Sequence, residues 1–231
     1  MMKFLKFVQL LTLVALIEVT LTAIQTKASQ TQLPNPPDTG TPTGDPTPAT
    51  TRPQGTCPKT TKPLTALMAN NRNDYTRSDY PSLWFYIPYD NTEITQLEFV
   101  LLDEMERRTI YRTGIKLNDR SGIIQITIPS NSKYALQPNK TYRWYLMLDC
   151  KNSPNEEPAL VVNGWIGRLP DESQSVNSAW YDTINERAKQ HFKTPDDEKS
   201  NQAWVSLLQN LGYNWLVQEP FANSTKFPLP N

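Results

Sequence analysis

Catalysis needs a nucleophile, an acid–base pair or a set of metal ligands, and this sequence offers few of each. His191 is the only histidine, so a Ser-His-Asp triad or a multi-histidine metal centre would have to be built around it. It lies late on an expected helix, one residue off that helix's apolar stripe, where a solvated or helix-end role accounts for it. Asp103, Glu104 and Glu106 cluster at a strand end, and a carboxylate pair is what glycoside hydrolysis requires. Arg107 and Arg108 follow at once, so the run reads as a solvated hairpin tip. The sequence contains no Gly-x-Ser-x-Gly, no phosphate-cradling glycine loop and no His-Glu-x-x-His. No catalytic residue is therefore assigned, and no metal or cofactor is expected. Zero net charge removes the electrostatic case for a nucleic-acid partner.

The aromatic residues are the better candidates. Trp84, Tyr86 and Tyr145 fall opposite the apolar stripe of their own strands. If Phe85 and Trp144 face the core, these three point outward, where they could stack on sugar rings or anchor a protein. The competing use of that face is as a seat for a helical pair carrying Trp180, Trp204 and Leu207. Such a pair needs an apolar surface to rest on, which favours the second use.

The elements that position these residues are mostly strands. Leu83 to Ile87 is aromatic and β-branched, between Pro81 and Pro88. In Leu97 to Asp103 the apolar Leu97, Phe99 and Leu101 share a face, Ile110 to Leu117, Ile124 to Ile128 and Tyr142 to Cys150 alternate, and a last strand runs from about Ala159 to Arg168. Turn clusters such as Asn118-Asp119-Arg120-Ser121-Gly122 separate them. Six short strands spaced this way fit an antiparallel β-sandwich of the immunoglobulin or fibronectin type, with an open barrel as the alternative. After Leu169 the period changes. Val176, Trp180, Ile184, Ala188 and Phe192 recur every four residues, one stripe of a helix. Thr194 as N-cap, Pro195 at the first position and Asp196, Asp197 behind it start a second helix. Its buried face is Ala203, Trp204, Leu207, Leu208 and Leu211, and Gly212 stops it. The pair cannot bury its own faces and is expected to pack on the β domain, with a loop-like tail after Asn214.

The N-terminus sets the compartment. Lys3 and Lys6 precede an apolar stretch from Phe7 to Ile24, with Thr26-Lys27-Ala28 as a cleavage site. Glu18 inside that stretch argues against a permanent membrane span. Residues 1–28 are read as a signal peptide, with an uncleaved N-terminal anchor as the alternative. Nine of the chain's 20 prolines lie between Leu33 and Pro63, so 29–63 is read as an extended Pro/Thr-rich linker. The β domain takes 64–169, and the helical hairpin and tail 170–231. In an exported chain the two cysteines, Cys57 and Cys150, make one disulfide that staples the linker's exit to the sheet.

Four segments carry a family resemblance: Ser78 to Tyr89 (SDYPSLWFYIPY), Glu98 to Asp103 (EFVLLD), Lys140 to Cys150 (KTYRWYLMLDC) and Val162 to Ile166 (VNGWI). In this order they resemble the cyanobacterial family of exported proteins catalogued as domain of unknown function 928. The resemblance runs from about Cys57 to the end of the chain. It implies a periplasmic or envelope location and carries no activity, substrate or catalytic residue. The expectation is a non-enzymatic envelope module that binds a protein or glycan. A hydrolase of envelope polymers and a purely structural accessory are the alternatives. A deep pocket holding two carboxylates, or His191 beside one, would mark the hydrolase.

Overall fold

The computed structural model describes residues 57–69, 74–118, 120–151, 158–170 and 179–229. The expected signal peptide (1–28) and the linker up to residue 56 lie outside them. Nine strands form: β1 (Thr65–Ala66), β2 (Tyr75–Thr76), β3 (Ser82–Ile87), β4 (Ile94–Asp103), β5 (Thr109–Leu117), β6 (Gly122–Thr127), β7 (Thr141–Cys150), β8 (Leu160–Arg168) and β9 (Ser224–Phe227). Helices α1 (Trp180–Lys193) and α2 (Glu198–Asn210) precede β9. The protein is thus mainly β with a C-terminal helical pair, and six of its strands match the six expected segments.

The strands make two sheets, a smaller one ordered β1-β3-β6 and a larger one ordered β2-β8-β7-β4-β5-β9. One apolar cluster joins them. Leu83, Phe85, Ile124 and Ile126 of the smaller sheet pack with Phe99, Leu101, Trp144, Leu146 and Ile166 of the larger. Alternation does the sorting: every second residue of β3, β4 and β7 is apolar, and those residues share a face. Phe85 and Trp144 meet edge to face, with ring centroids 5.4 Å apart. Trp144 lies flat on β8 because its cross-strand partner there is Gly164. A Cβ on Gly164 would come within 2.4 Å of the indole.

The opposite face of the smaller sheet forms a second cluster. Trp84, Tyr86 and Ile123 pack with Ile184 and Ala188 of α1 and with Trp204, Leu207 and Leu208 of α2. The chain therefore stacks three layers, in the order larger sheet, smaller sheet, helices. The helical pair lies on the β domain, as its exposed stripes required. Asp182 fixes α1 at one end, accepting from Thr76 Oγ1 at 2.6 Å and from the backbone N–H of Arg77 at 2.8 Å.

Two expectations need correction. The cap of α2 is Asp197, whose carboxylate accepts from Ser200 N at 2.9 Å, and not Thr194. The Thr194 hydroxyl donates back to Gln190 O at 2.8 Å and closes α1 instead. The tail is not a loop. Residues 220–222 run along the free edge of β6, with Ile123 N donating to Pro220 O at 2.8 Å and Ala222 N to Ile123 O at 2.9 Å. A few residues on, β9 pairs with β5 from Gly114↔Phe227 to Leu117↔Ser224. One tail thus caps an edge of each sheet. Gly122 (φ +148°) allows the approach, since a Cβ there would lie 2.4 Å from Pro220 O.

Cys57 and Cys150 form a disulfide. Cys150 ends β7, so the bond holds residues 57–63 to the larger sheet. Tyr89 adds a hydrogen bond to Pro58 O at 3.2 Å, and Lys62 pairs with Glu219 of the tail. No helix among the described residues is long and apolar enough to cross a membrane.

Candidate functional site

The three aromatic candidates separate. Trp84 and Tyr86 are only 2% and 3% exposed, so neither belongs to an open binding face. The indole of Trp84 stacks on Phe192 with centroids 6.0 Å apart and donates to Asn185 Oδ1 at 3.3 Å. Tyr86 meets Trp215 edge to face at 5.2 Å. Burial first, and then the Glu219 carboxylate, pushes its phenol well above the ordinary value. The physical reason is the one weighed against the binding reading: the helices need an apolar seat, and these rings supply it.

Tyr145 stands apart from both clusters, on the outer face of the larger sheet. It lies in β7 between Val100 of β4 and Asn163 of β8, and its side chain is partly exposed. Its hydroxyl donates to Glu106 Oε2 at 2.9 Å. Glu106 sits at the tip of the β4–β5 hairpin with a left-handed backbone (φ 57°), which turns its carboxylate back over the sheet. Two residues away along β7, the Arg143 guanidinium lies 5.3 Å from the Tyr145 ring and 4.7 Å from the Trp165 ring. Arg143 Nη2 also donates to Asn163 Oδ1, and its Nε lies 3.9 Å from Glu106 Oε1. Burial, the largest influence, holds the Tyr145 phenol above its ordinary value, and Glu106 adds to it while Arg143 opposes it. Farther along the same face, Arg112 clasps Glu98 with two hydrogen bonds of 2.5 and 3.1 Å.

Arg143 and Trp165 are buried, so this row of phenol, guanidinium, amide and carboxylates meets solvent through Tyr145, Asn163 and Glu106. Such planar polar groups beside an aromatic ring recognise hydroxyl-rich or peptide surfaces by hydrogen bonding and stacking. Alternation placed Tyr145 outside, and it would place Arg143, Asn163 and Trp165 on the same side. The return of Glu106 from the hairpin tip to Tyr145 depends on one left-handed residue and left no pattern in the sequence.

The other chemistry-bearing residues are engaged locally. Asp103 Oδ1 accepts from the backbone N–H of Arg107 at 2.8 Å and of Arg108 at 3.2 Å, a turn-forming role. His191 Nδ1 lies 2.7 Å from Asn201 Oδ1, and its ring stacks on Trp204 at 5.6 Å. It clasps α1 to α2, far in role from a triad. Among the described residues no group of three His, Cys, Asp or Glu side chains is placed to hold a metal ion.

One buried carboxyl escaped the sequence reading. Asp74, 2% exposed, is pushed up to about 7 by burial, partly offset by a backbone N–H from Ala69. Nearby Tyr181 is fully buried. Burial and the Asp74 charge raise its hydroxyl far above the usual phenol value, so it serves as a neutral hydrogen-bonding group.

A family model described as Domain of Unknown Function (DUF928) matches residues 47–179. The match takes in both cysteines and β1 to β8 and ends at Ala179, before α1. No curated protein and no solved structure matches the chain.

Proposed function

The chain belongs to the DUF928 family, and on that footing we propose that it is an exported, non-enzymatic binding or accessory module of the cell envelope. In this reading residues 1–28 are removed as a signal peptide, 29–63 form the linker that follows, and the protein acts in the periplasm or outside the cell of a cyanobacterium. The disulfide supports an oxidising compartment. The two stacked sheets are read as an immunoglobulin- or fibronectin-type scaffold.

The observation that carries the reading is the Tyr145–Glu106–Arg143 row on the outer face of the larger sheet. It is the part of the aromatic set that the helices leave outside the core. Its ligand is an envelope protein or glycan. The test is a paired pull-down from the native envelope fraction, with disulfide-intact wild type and Tyr145→Ala as baits. A partner held by the wild type and lost by Tyr145→Ala sustains the reading. A partner held equally by both removes this face from consideration.

A further inference from the structure

The larger sheet forks at one end, away from the Tyr145 row. Strands β4 and β5 stay paired from Leu102↔Thr109 to Glu98↔Gly114. Beyond that point each continues only with its other neighbour. β4 follows β7 to Ile94↔Cys150, and β5 follows β9 to Leu117↔Ser224. Residues 94–97 and 115–117 therefore turn backbone edges toward each other without a sheet bond between them, among the described residues.

The fork encloses a cavity of about 460 Å³, a size typical of small-molecule sites. Its floor is Leu97, Ile115 and Leu117, whose side chains also belong to the inter-sheet core. Its polar lining comes from Asn91, Thr95, Gln96 and Lys116, Ile94 and Leu229 of the tail complete it, and among the described residues no acidic side chain lines it. Lys116 is exposed and makes no ion pair among the described residues. Asn91 Nδ2 donates to Asn118 O at 2.8 Å. That bond ties the two arms together just past their ends, so the fork is a closed bay and not a slot for an extended peptide.

We propose that this fork binds a small amphipathic anion, with its apolar body on Leu97, Ile115 and Leu117 and its charged end at Lys116. Charge complementarity selects the sign: among the described residues one cation and no carboxylate line a bay with an apolar floor. Gln96 Nε2 donates to Glu98 Oε2 at 3.0 Å, so the second N–H of Asn91 and that of Gln96 supply the neutral polar groups that orient such a ligand.

Titration of the full, disulfide-intact chain with sodium octanoate tests this by two-dimensional ¹H–¹⁵N NMR. Octanoate should shift the side-chain amides of Asn91 and Gln96 and the backbone amide of Lys116, saturably, while octylamine of the same chain length leaves them unmoved. Lys116→Met should weaken octanoate about tenfold, the loss of one charge-assisted contact, and Lys116→Arg should retain it. Equal shifts from octanoate and octylamine would overturn the proposal. So would octanoate shifts confined to other parts of the protein, or full affinity in a folded Lys116→Met chain.

Discussion

The indole N–H of Trp144 donates to the hydroxyl of Tyr181 at 2.9 Å, and that hydroxyl donates in turn to the backbone carbonyl of Trp165 at 3.0 Å. All three groups are buried. Trp144 lies on the middle of β7 and Tyr181 on the first turn of α1. The helical layer therefore sends one side chain past the smaller sheet into the core between the sheets. Tyr181→Phe keeps the ring and removes the hydroxyl, leaving a buried donor and a buried acceptor without this partner. The expected loss is about 1–3 kcal/mol of stability. Urea denaturation should show a lower midpoint with an unchanged slope.

The disulfide closes a loop with a sequence separation of 93 between Cys57 and Cys150. Long loops carry much chain entropy when unfolded, so Cys57→Ser with Cys150→Ser should cost about 2–5 kcal/mol. Thiol labelling of the unfolded, unreduced wild-type protein should find no free cysteine. Two labelled thiols in freshly isolated material would contradict the bond.

Asp74 gives stability a pH dependence of definite sign. Its carboxyl titrates near 7 when folded, raised from 3.8. Between those values the unfolded chain has released the proton that the folded chain still holds. Stability therefore falls as pH rises from about 4 to about 7, by up to about 1.4 kcal/mol per pH unit, and then levels. Below the unfolded value the group costs nothing in charge. Asp74→Asn cannot ionise, so it should flatten this slope and exceed the wild type in stability at pH 8. Denaturation midpoints of both proteins at pH 4, 6 and 8 measure the effect, and parallel profiles would refute it.

What the sequence disclosed tracks what repeats along it. Strands β4 to β7 carry alternating or one-faced apolar residues and β3 and β8 are apolar runs bounded by turn residues, so their existence was readable. β1 and β2 have two residues each, too few for any period. β9 is held by the edge of β5, a partner more than 100 residues away in sequence, and nothing local marks it. At the helix junction the chain offers Thr194 and Asp197 as competing caps, and the bond from Thr194 to Gln190 decides between them. Alternation likewise showed that Trp84 and Tyr145 both leave the inter-sheet core. It could not show that a third layer covers one and not the other, because that depends on which sheet each strand joins. The fork is equally a property of pairing, since β4 and β5 each read as continuous strands.

Ending the chain after Leu169 removes that third layer. Trp84, Tyr86 and Ile123 would be uncovered together, and the edges of β5 and β6 would lose the tail segments that cap them. An apolar patch beside open strand edges favours association. The truncated protein should aggregate or lose its cooperative melt, as read by size-exclusion chromatography and circular dichroism. A monomer that melts like the full chain would show the helices to be an appendage.

Single substitutions divide the aromatic set without removing a layer. Trp84 is buried among Phe192, Phe221 and Asn185, so Trp84→Ala leaves a large cavity and should cost about 3–5 kcal/mol. Tyr145 is partly exposed; its hydroxyl donates to Glu106 and accepts from Arg143 Nε at 3.4 Å, and its ring meets the Arg143 cation. Tyr145→Ala should cost about 1–2 kcal/mol, from the lost hydrogen bonds and cation–π contact. The ordering matters more than either value. A residue that can be removed with the fold intact is one whose loss can be read as loss of binding. Tyr145 meets that condition, and Trp84 and Tyr86 do not. Denaturation midpoints for the three alanine variants therefore come before any envelope pull-down. If Tyr145→Ala proves as damaging as Trp84→Ala, the outer face is structural and the binding site must be sought elsewhere, with the β4–β5 fork the next place to look.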